Sequence, residues 1–206
     1  MSQQEQVGHP LVITMWETYG CGMEEVASAV GRELSIPVHA QAFTSEQIEQ
    51  SEAERAKEGG FARFVRRVGS LHIDDAVADG TARTEQESWV EMARNNTKIV
   101  RDTAAQDAII LGRNGAFILK DAPRALHVKL DGHAKDRAAL AAELKKISLD
   151  QATKRLPRED QFRRSLSMRT YNFDPTGNEY YTIVLNSPRL GLSETVRLIV
   201  EAAKRR

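Results

Sequence analysis

A glycine-rich turn joins the first apolar run of the sequence to the first helical pattern. We call it the glycine turn, and it consists of Tyr19, Gly20, Cys21, Gly22, Met23, Glu24 and Glu25. Glycines let backbone N–H groups converge on a ligand, and the N-terminus of the following helix favours negative charge. The pattern predicts a phosphate-binding loop, although an ordinary strand-to-helix turn would carry the same glycines.

The glycine turn lacks two residue types that phosphate loops usually have. A lysine that binds phosphate and a Ser or Thr that binds magnesium are absent, and Met23, Glu24 and Glu25 stand in their places. Carboxylates there stabilise the helix but repel a triphosphate unless magnesium bridges the two. Cys21 lies near the helix N-terminus, which lowers a thiol pKa, but the adjacent glutamates oppose that effect. The sequence therefore favours an unreactive thiol.

Two groups of arginines are candidates for binding phosphate. The later group lies within 15 residues and contains Arg155, Arg158, Arg163, Arg164 and Arg169. Guanidinium groups neutralise the charge of a transferred phosphoryl group, and they pair with it in bidentate fashion. A solvated helix face, with Glu159 and Asp160 as local partners, explains this group equally well. The earlier group, Arg63, Arg66 and Arg67 around Phe61 and Phe64, is more typical of an amphipathic surface helix than of an acceptor site.

Other catalytic chemistries find little support. The five histidines show no metal-ligand spacing, and no G-x-S-x-G motif occurs. His127 lies inside an apolar run and is predicted to be a hydrogen-bonded core residue. Asp74, Asp75 and Asp79 could attract magnesium, but a loop or a helix start is the better interpretation. We therefore predict no metal ligand among the side chains.

Strands and helices alternate along the chain and must position these residues. Apolar runs at 11–16, 108–111, 125–130 and 180–185, with a weaker one at 36–40, predict five strands. The first, second and fourth are nearly continuous, which predicts strands covered on both faces of a parallel sheet. Helical patterns lie between them, and predicted helix starts are Thr44, Thr84 with Glu87, Ser148 with Gln151, and Ser193. The alternation predicts an α/β fold.

Composition narrows the class of protein. The chain has 206 residues, with 29 Lys and Arg against 29 Asp and Glu, so its net charge of zero argues against a dedicated nucleic-acid binder. No apolar run is long enough to cross a membrane. A single cysteine and no signal peptide favour the cytoplasm. Residues 1–9 are predicted to be a disordered leader.

Four segments resemble the cytidylate kinase-like family of nucleoside monophosphate kinases. Tyr19, Gly20, Gly22 and Glu25 match its S-R-E-Y-G-S-G-G-R-E motif. Residues 110–123 resemble its G-R-x-A-x-[FY]-I-L segment, residues 160–163 the D-x-x-R of its lid, and residues 183–190 its V-L-N-T-S-R-L segment. Glu17, Met23 and Glu24 depart from the first motif, where the family has Arg, Gly and Arg.

The resemblance implies a three-layer α/β P-loop kinase-like fold with a five-stranded parallel sheet in the order 2-3-1-4-5. It implies one domain over 1–206, in which 41–107 is a helical acceptor-binding insertion and 131–179 a lid region. The expected activity is transfer of the ATP γ-phosphoryl group, with magnesium, to a nucleoside monophosphate or another small acceptor. The glycine turn would cradle phosphate through its amides, Arg113 would bind the acceptor, and Arg163 and Arg169 would close over the transferred group.

The altered glycine turn also favours an alternative function. If Glu17 and Glu24 prevent phosphate binding, the chain would be a catalytically inactive binding or regulatory protein with the same fold. In either case we expect a nucleotide or small-molecule partner, and neither nucleic acid nor a membrane. The sequence is compatible with a homodimer.

Overall fold

Five parallel strands form the centre of the protein. The computed structural model describes residues 8–40 and 85–206, with the side chains of 85–88 excepted. The strands lie in the order β2-β3-β1-β4-β5, and they are β1 (Val12–Glu17), β2 (Val38–His39), β3 (Ala108–Leu111), β4 (Ala125–Asp131) and β5 (Ile183–Asn186). Every pairing is parallel. The predicted fold class and strand order are confirmed.

Helices cover both faces of the sheet. The longer ones are α1 (Met23–Leu34), α2 (Glu85–Thr103), α4 (Ala134–Lys145), α5 (Leu149–Tyr171) and α7 (Leu192–Ala203), and the short ones are α3 (Gly115–Ile118) and α6 (Ser187–Leu190). On one face Ile13 of β1 belongs to a buried cluster with α1 and α7. On the other face Val12 packs in a cluster with Val100 of α2. Successive residues of a strand point to opposite faces, so β1 contributes to both clusters.

Burial along the strands corrects one prediction. β1 and β3 are buried throughout, as their continuous apolar runs predict. β5 is only half-buried, and Val184 is 41% exposed, so the prediction that this run is covered on both faces is wrong. The reason is its place at the edge of the sheet, beside β4 alone. Residues 180–182 of the predicted run precede the strand.

β4 is buried although it carries two polar residues. His127 Nδ1 lies 2.8 Å from Thr14 Oγ1, which confirms a hydrogen-bonded core histidine, and burial lowers its pKa. The Lys129 ammonium donates to the carbonyl oxygen of Thr176 and to Asn178 Oδ1, so its charge is solvated by the loop before β5. Polar residues in a buried strand are tolerated when each has such partners.

Two predicted helix starts can be compared with the structure. Ser148 caps α5 through a reciprocal capping box with Gln151, as predicted. Ser193 is not the N-cap of α7, because Gly191, two residues earlier and at φ +81°, turns the chain directly from α6 into α7. The predictions that involve Thr44, Thr84, the earlier arginine group and the Asp74–Asp79 acids lie outside the described residues. No helix in the described ranges is long and apolar enough to cross a membrane.

Candidate functional site

The glycine turn lies at the carboxyl end of β1 and is packed tightly from two sides. Gly20 and Gly22 have φ of +90° and +75°, which glycine adopts without strain. A Cβ on Gly20 would lie 2.6 Å from the carbonyl oxygen of Arg137 in α4, and one on Gly22 would lie 2.9 Å from Leu192 Cδ2 in α7. Gly20 is therefore required by the close approach of the α4 backbone and by its positive φ, whether or not the turn binds a ligand. Gly22 is required by its positive φ, since the leucine side-chain end beside it can move.

Glu17 occupies the amide groups that a phosphate loop offers to its ligand. Its Oε2 accepts hydrogen bonds from the backbone N–H groups of Cys21 (3.1 Å) and Met23 (3.0 Å). The side chain is buried, and this burial raises the pKa of Glu17 overall, against the lowering effects of Arg163 and of the hydrogen bond from Met23. A carboxylate of the chain thus stands where an external oxyanion would bind.

Arg163 reaches the glycine turn but is already paired. Its Nη1 lies 3.5 Å from Glu17 Oε1, and its Nη2 donates to Glu159 Oε2 at 3.1 Å. The guanidinium also lies over the Tyr19 ring, with 5.8 Å from its carbon to the ring centroid. The sequence predicts Glu159 as a local partner of the later arginine group, but it does not predict Glu17 as one. Two carboxylates therefore share the cation that the sequence assigns to the transferred phosphoryl group.

Asp160 and Arg137 bind the two backbone polar groups of Tyr19, its N–H and its carbonyl oxygen. We call this pair of side chains the Tyr19 clamp. Asp160 Oδ1 accepts a hydrogen bond from the Tyr19 N–H at 2.7 Å, and Arg137 Nη1 donates to the Tyr19 carbonyl oxygen at 2.9 Å. The two side chains also form an ion pair of 2.8 Å with each other. Asp160 belongs to α5 and Arg137 to α4, so both helices of the predicted lid region are joined to the glycine turn. Sequence reasoning missed Arg137 because no motif marks it.

Lys145 supplies the positive charge that the glycine turn lacks in sequence. It extends from the last turn of α4 to Glu24, with 2.9 Å between Nζ and Oε2. Burial alone lowers the pKa of Lys145, but the hydrogen bond to Glu24 and the charges of Glu25 and Glu17 raise it overall. Between Lys145, Arg163 and the turn remains a cavity of about 20 Å³, room for roughly one water molecule.

Cys21 is enclosed at the centre of the glycine turn. Its Sγ lies 3.4 Å from Thr18 Oγ1, and its carbonyl oxygen accepts a hydrogen bond from Ser187. Burial raises the pKa of the thiol to about 12. The unreactive thiol that the sequence favours agrees with these surroundings.

We predict that Cys21 resists thiol reagents in the native protein. With its pKa raised to about 12, on the order of 10⁻⁴ of the thiol is ionised at pH 8, and only the thiolate attacks. A disulfide reagent such as DTNB should therefore react at least about a hundredfold more slowly with native protein than with protein unfolded in urea. Since Cys21 is the single cysteine of the chain, the released chromophore reports it alone. Rapid labelling of the native protein would contradict this prediction.

Arg113 follows β3 in an unusual backbone turn. Gly112, Arg113 and Asn114 have φ of 62°, 52° and 55°, which is rare for non-glycine residues. The Arg113 Nε donates to the carbonyl oxygen of Ala40 at 3.1 Å. Burial lowers the pKa of Arg113, and no carboxylate among the described residues pairs with it. Arg113 is thus a partly buried cation that has no carboxylate partner among the described residues.

Arg169 lies away from the glycine turn. Its guanidinium carbon is 5.7 Å from the centroid of the Trp89 ring in α2. Six residues separate it from Arg163, which corresponds to about 9 Å along a helix. The structure therefore brings Arg163 to the glycine turn but places Arg169 against α2.

The sequence model of the cytidylate kinase-like family matches residues 12–189. The chain belongs to this family. A protein of Eubacterium ventriosum described as uncharacterized is similar in structure, with a TM-score of 0.65 and 13% identity over 95% of this chain and 99% of that one. A gluconokinase of Sinorhizobium meliloti has a TM-score of 0.50 at 14% identity, over 96% of this chain and 93% of that one. These likenesses show that this cytidylate kinase-like protein has the fold of small-molecule kinases.

One curated relative is a much longer protein. It is named uronate isomerase, from Corynebacterium glutamicum, and is 28% identical over 149 residues. These residues are 72% of the cytidylate kinase-like chain but only 28% of the relative. The chain therefore spans little more than a quarter of that protein's length.

A phosphate chain cannot bind the amides of the glycine turn in this arrangement. The Cys21 and Met23 amides are taken by Glu17, so they are not available to a phosphate group. No group of three or more potential metal-binding side chains occurs in the described ranges 8–40 and 89–206.

Proposed function

We propose that this chain is a non-catalytic binding protein of the cytidylate kinase-like family. It binds a small phosphorylated molecule of the nucleoside monophosphate class through Arg113, and it does not transfer the γ-phosphoryl group of ATP. The fold of the family brings a ligand to the carboxyl ends of the strands, where Arg113 follows β3.

One observation carries this proposal: the glycine turn is filled by the chain's own carboxylate. Catalysis of phosphoryl transfer depends on positioned amides and cations around the phosphates. Here Glu17 takes two of the amides and pairs with Arg163, so a triphosphate would have to displace a buried charge from its partners. Removing such a charge from its pairing costs several kcal/mol, about 3–5 by analogy with broken buried ion pairs.

Arg113, at the predicted acceptor site after β3, can still bind an anion. Arg113 is partly buried, and that burial lowers its pKa. Among the described residues, its guanidinium donates a hydrogen bond to the carbonyl oxygen of Ala40 and has no carboxylate partner. A phosphate group would supply the missing charge and pair with the free edge of the guanidinium in bidentate geometry. The alternative acceptor-side ligand, a small phosphorylated sugar, would use the same contact.

Phosphoryl transfer is the second candidate function, and one contact favours it. Lys145 extends from α4 to the glycine turn, so a cation is available within the site although the turn itself has no lysine. Transfer would require Glu17 to leave the amides of Cys21 and Met23.

Binding and turnover separate the two functions. In titration calorimetry, CMP should bind the wild-type protein, while ATP with magnesium should bind more weakly than about 1 mM, which is roughly −4 kcal/mol. Arg113→Ala should weaken CMP binding by about ten- to a hundredfold, the effect of losing charge-assisted hydrogen bonds, and Arg32→Ala, which changes an exposed arginine of α1, should leave it intact. Phosphorylation of CMP by ATP, lost in Arg163→Ala, would overturn the non-catalytic function and establish a kinase.

A further inference from the structure

The turn that presents Arg113 is held by a hydrogen-bonded junction between two helices. Asn96 of α2 donates through its Nδ2 to the carbonyl oxygen of Arg113 at 2.8 Å and to the Tyr171 hydroxyl at 2.8 Å. Tyr171 is the last residue of α5, and its hydroxyl donates to the carbonyl oxygen of Ala93 at 2.9 Å. Arg113, α2 and the end of α5 are thus linked through one amide group.

Backbone conformation explains why such a link matters. Arg113 and Asn114 both have positive φ, a backbone conformation that is unfavourable for non-glycine residues. Such a turn persists only where its surroundings impose it. The Asn96 bond to the Arg113 carbonyl oxygen is a direct restraint on this peptide, and Tyr171 fixes the orientation of the Asn96 amide.

We propose that Asn96 and Tyr171 are positioning residues that hold Arg113 in its anion-binding conformation. This inference rests on the proposed function, because it assumes that Arg113 contacts the ligand. The hydrogen bond from Asn96 goes to the backbone of Arg113 and not to its guanidinium, so both residues act through that backbone. Since Tyr171 ends α5, the junction also links ligand binding at β3 to the helix that carries Asp160 and Arg163.

Asn96→Ala and Tyr171→Phe test this role with CMP as the probe. Each should weaken CMP binding about five- to tenfold, the effect of one hydrogen bond that orders a binding group. A positioning role adds a sharper expectation. In the Arg113→Ala background, titrated with CMP at high concentration, adding Asn96→Ala should have no further effect, because coupled residues are not additive. Lys98→Ala, an exposed substitution on the same helix, is the matched control and should bind CMP like the wild type.

The outcomes distinguish the inference from the function on which it rests. Absence of CMP binding to the wild type would overturn the proposed function, and the inference with it. Binding that depends on Arg113 but is unchanged in Asn96→Ala and Tyr171→Phe would overturn the inference alone. Equal weakening by Asn96→Ala in the presence and absence of Arg113 would also overturn it, because the asparagine would then act independently.

Discussion

Glu17→Ala is expected to destabilise the protein by about 3 kcal/mol and to create a site that phosphate fills. The substitution leaves the N–H groups of Cys21 and Met23 without an acceptor, and each buried donor left unpaired costs about 1–3 kcal/mol. It also removes one of the two carboxylates around Arg163. In a domain of this size the melting temperature should fall by about 6–12 °C.

Inorganic phosphate should restore much of this loss. A ligand that binds only the native state stabilises it by mass action, by about 2.7 kcal/mol at a hundred times its dissociation constant. Formate should act in the same way, because it replaces the lost carboxylate. Melting curves of the variant and of the wild type at rising phosphate, with chloride at equal ionic strength, measure the effect.

Glu24→Ala is the matched control for this experiment. Glu24 lies in the same turn, but it pairs with Lys145 at the surface and accepts no bond from the Cys21 or Met23 amides. Its loss should cost less than about 1 kcal/mol. Phosphate also stabilises proteins generally, so only a response larger than that of Glu24→Ala counts. Equal responses in the two variants would show that Glu17 does not fill an anion site.

Arg137→Ala is expected to be more damaging, by about 3–5 kcal/mol, as for other broken buried ion pairs. The side chain is buried and donates to the carbonyl oxygens of Gly132 and Tyr19 as well as to Asp160. Its removal leaves the Asp160 charge and two carbonyl oxygens without their donor. Urea unfolding of the variant and the wild type measures the difference.

A double-mutant cycle attributes that loss to the Tyr19 clamp. Arg137→Ala with Asp160→Ala should cost at least about 1 kcal/mol less than the sum of the single changes, because the two side chains share one interaction. Arg197→Ala is the control: it breaks an exposed pair with Glu194 and should cost about 0.5 kcal/mol or less. Additive effects, or a loss for Arg137→Ala no larger than for Arg197→Ala, would contradict a clamp.

The fold is predictable because short-range patterns encode it. β1 and β3 are continuous apolar runs, and their bounds in the structure agree within one residue with the runs. The Ser148 capping box is likewise local. β5 is the exception: its apolar run does not reveal that it has a neighbour on one side only, since edge position depends on the topology of the whole sheet.

The site is less predictable because its contacts are distant in sequence. Arg137 and Tyr19 are 118 residues apart, and no spacing rule relates them. The sequence predicts only that the Glu17 charge opposes phosphate binding, whereas its side chain turns back to bind the amides of its own turn. One signal was available: a carboxylate that ends a buried strand must find partners, since buried charges are rarely left unpaired.

The packing of Gly20 and Gly22 has a consequence for recognising kinases from sequence. Gly20 leaves room for the backbone of α4, and both glycines have positive φ, so substitution at either position would strain the turn even in a protein that never meets a nucleotide. A lineage that lost its phosphate ligand would be free to change the charged residues of the turn long before its glycines. The glycine spacing therefore indicates the fold of the turn. The residues between and before the glycines indicate whether the turn can bind phosphate.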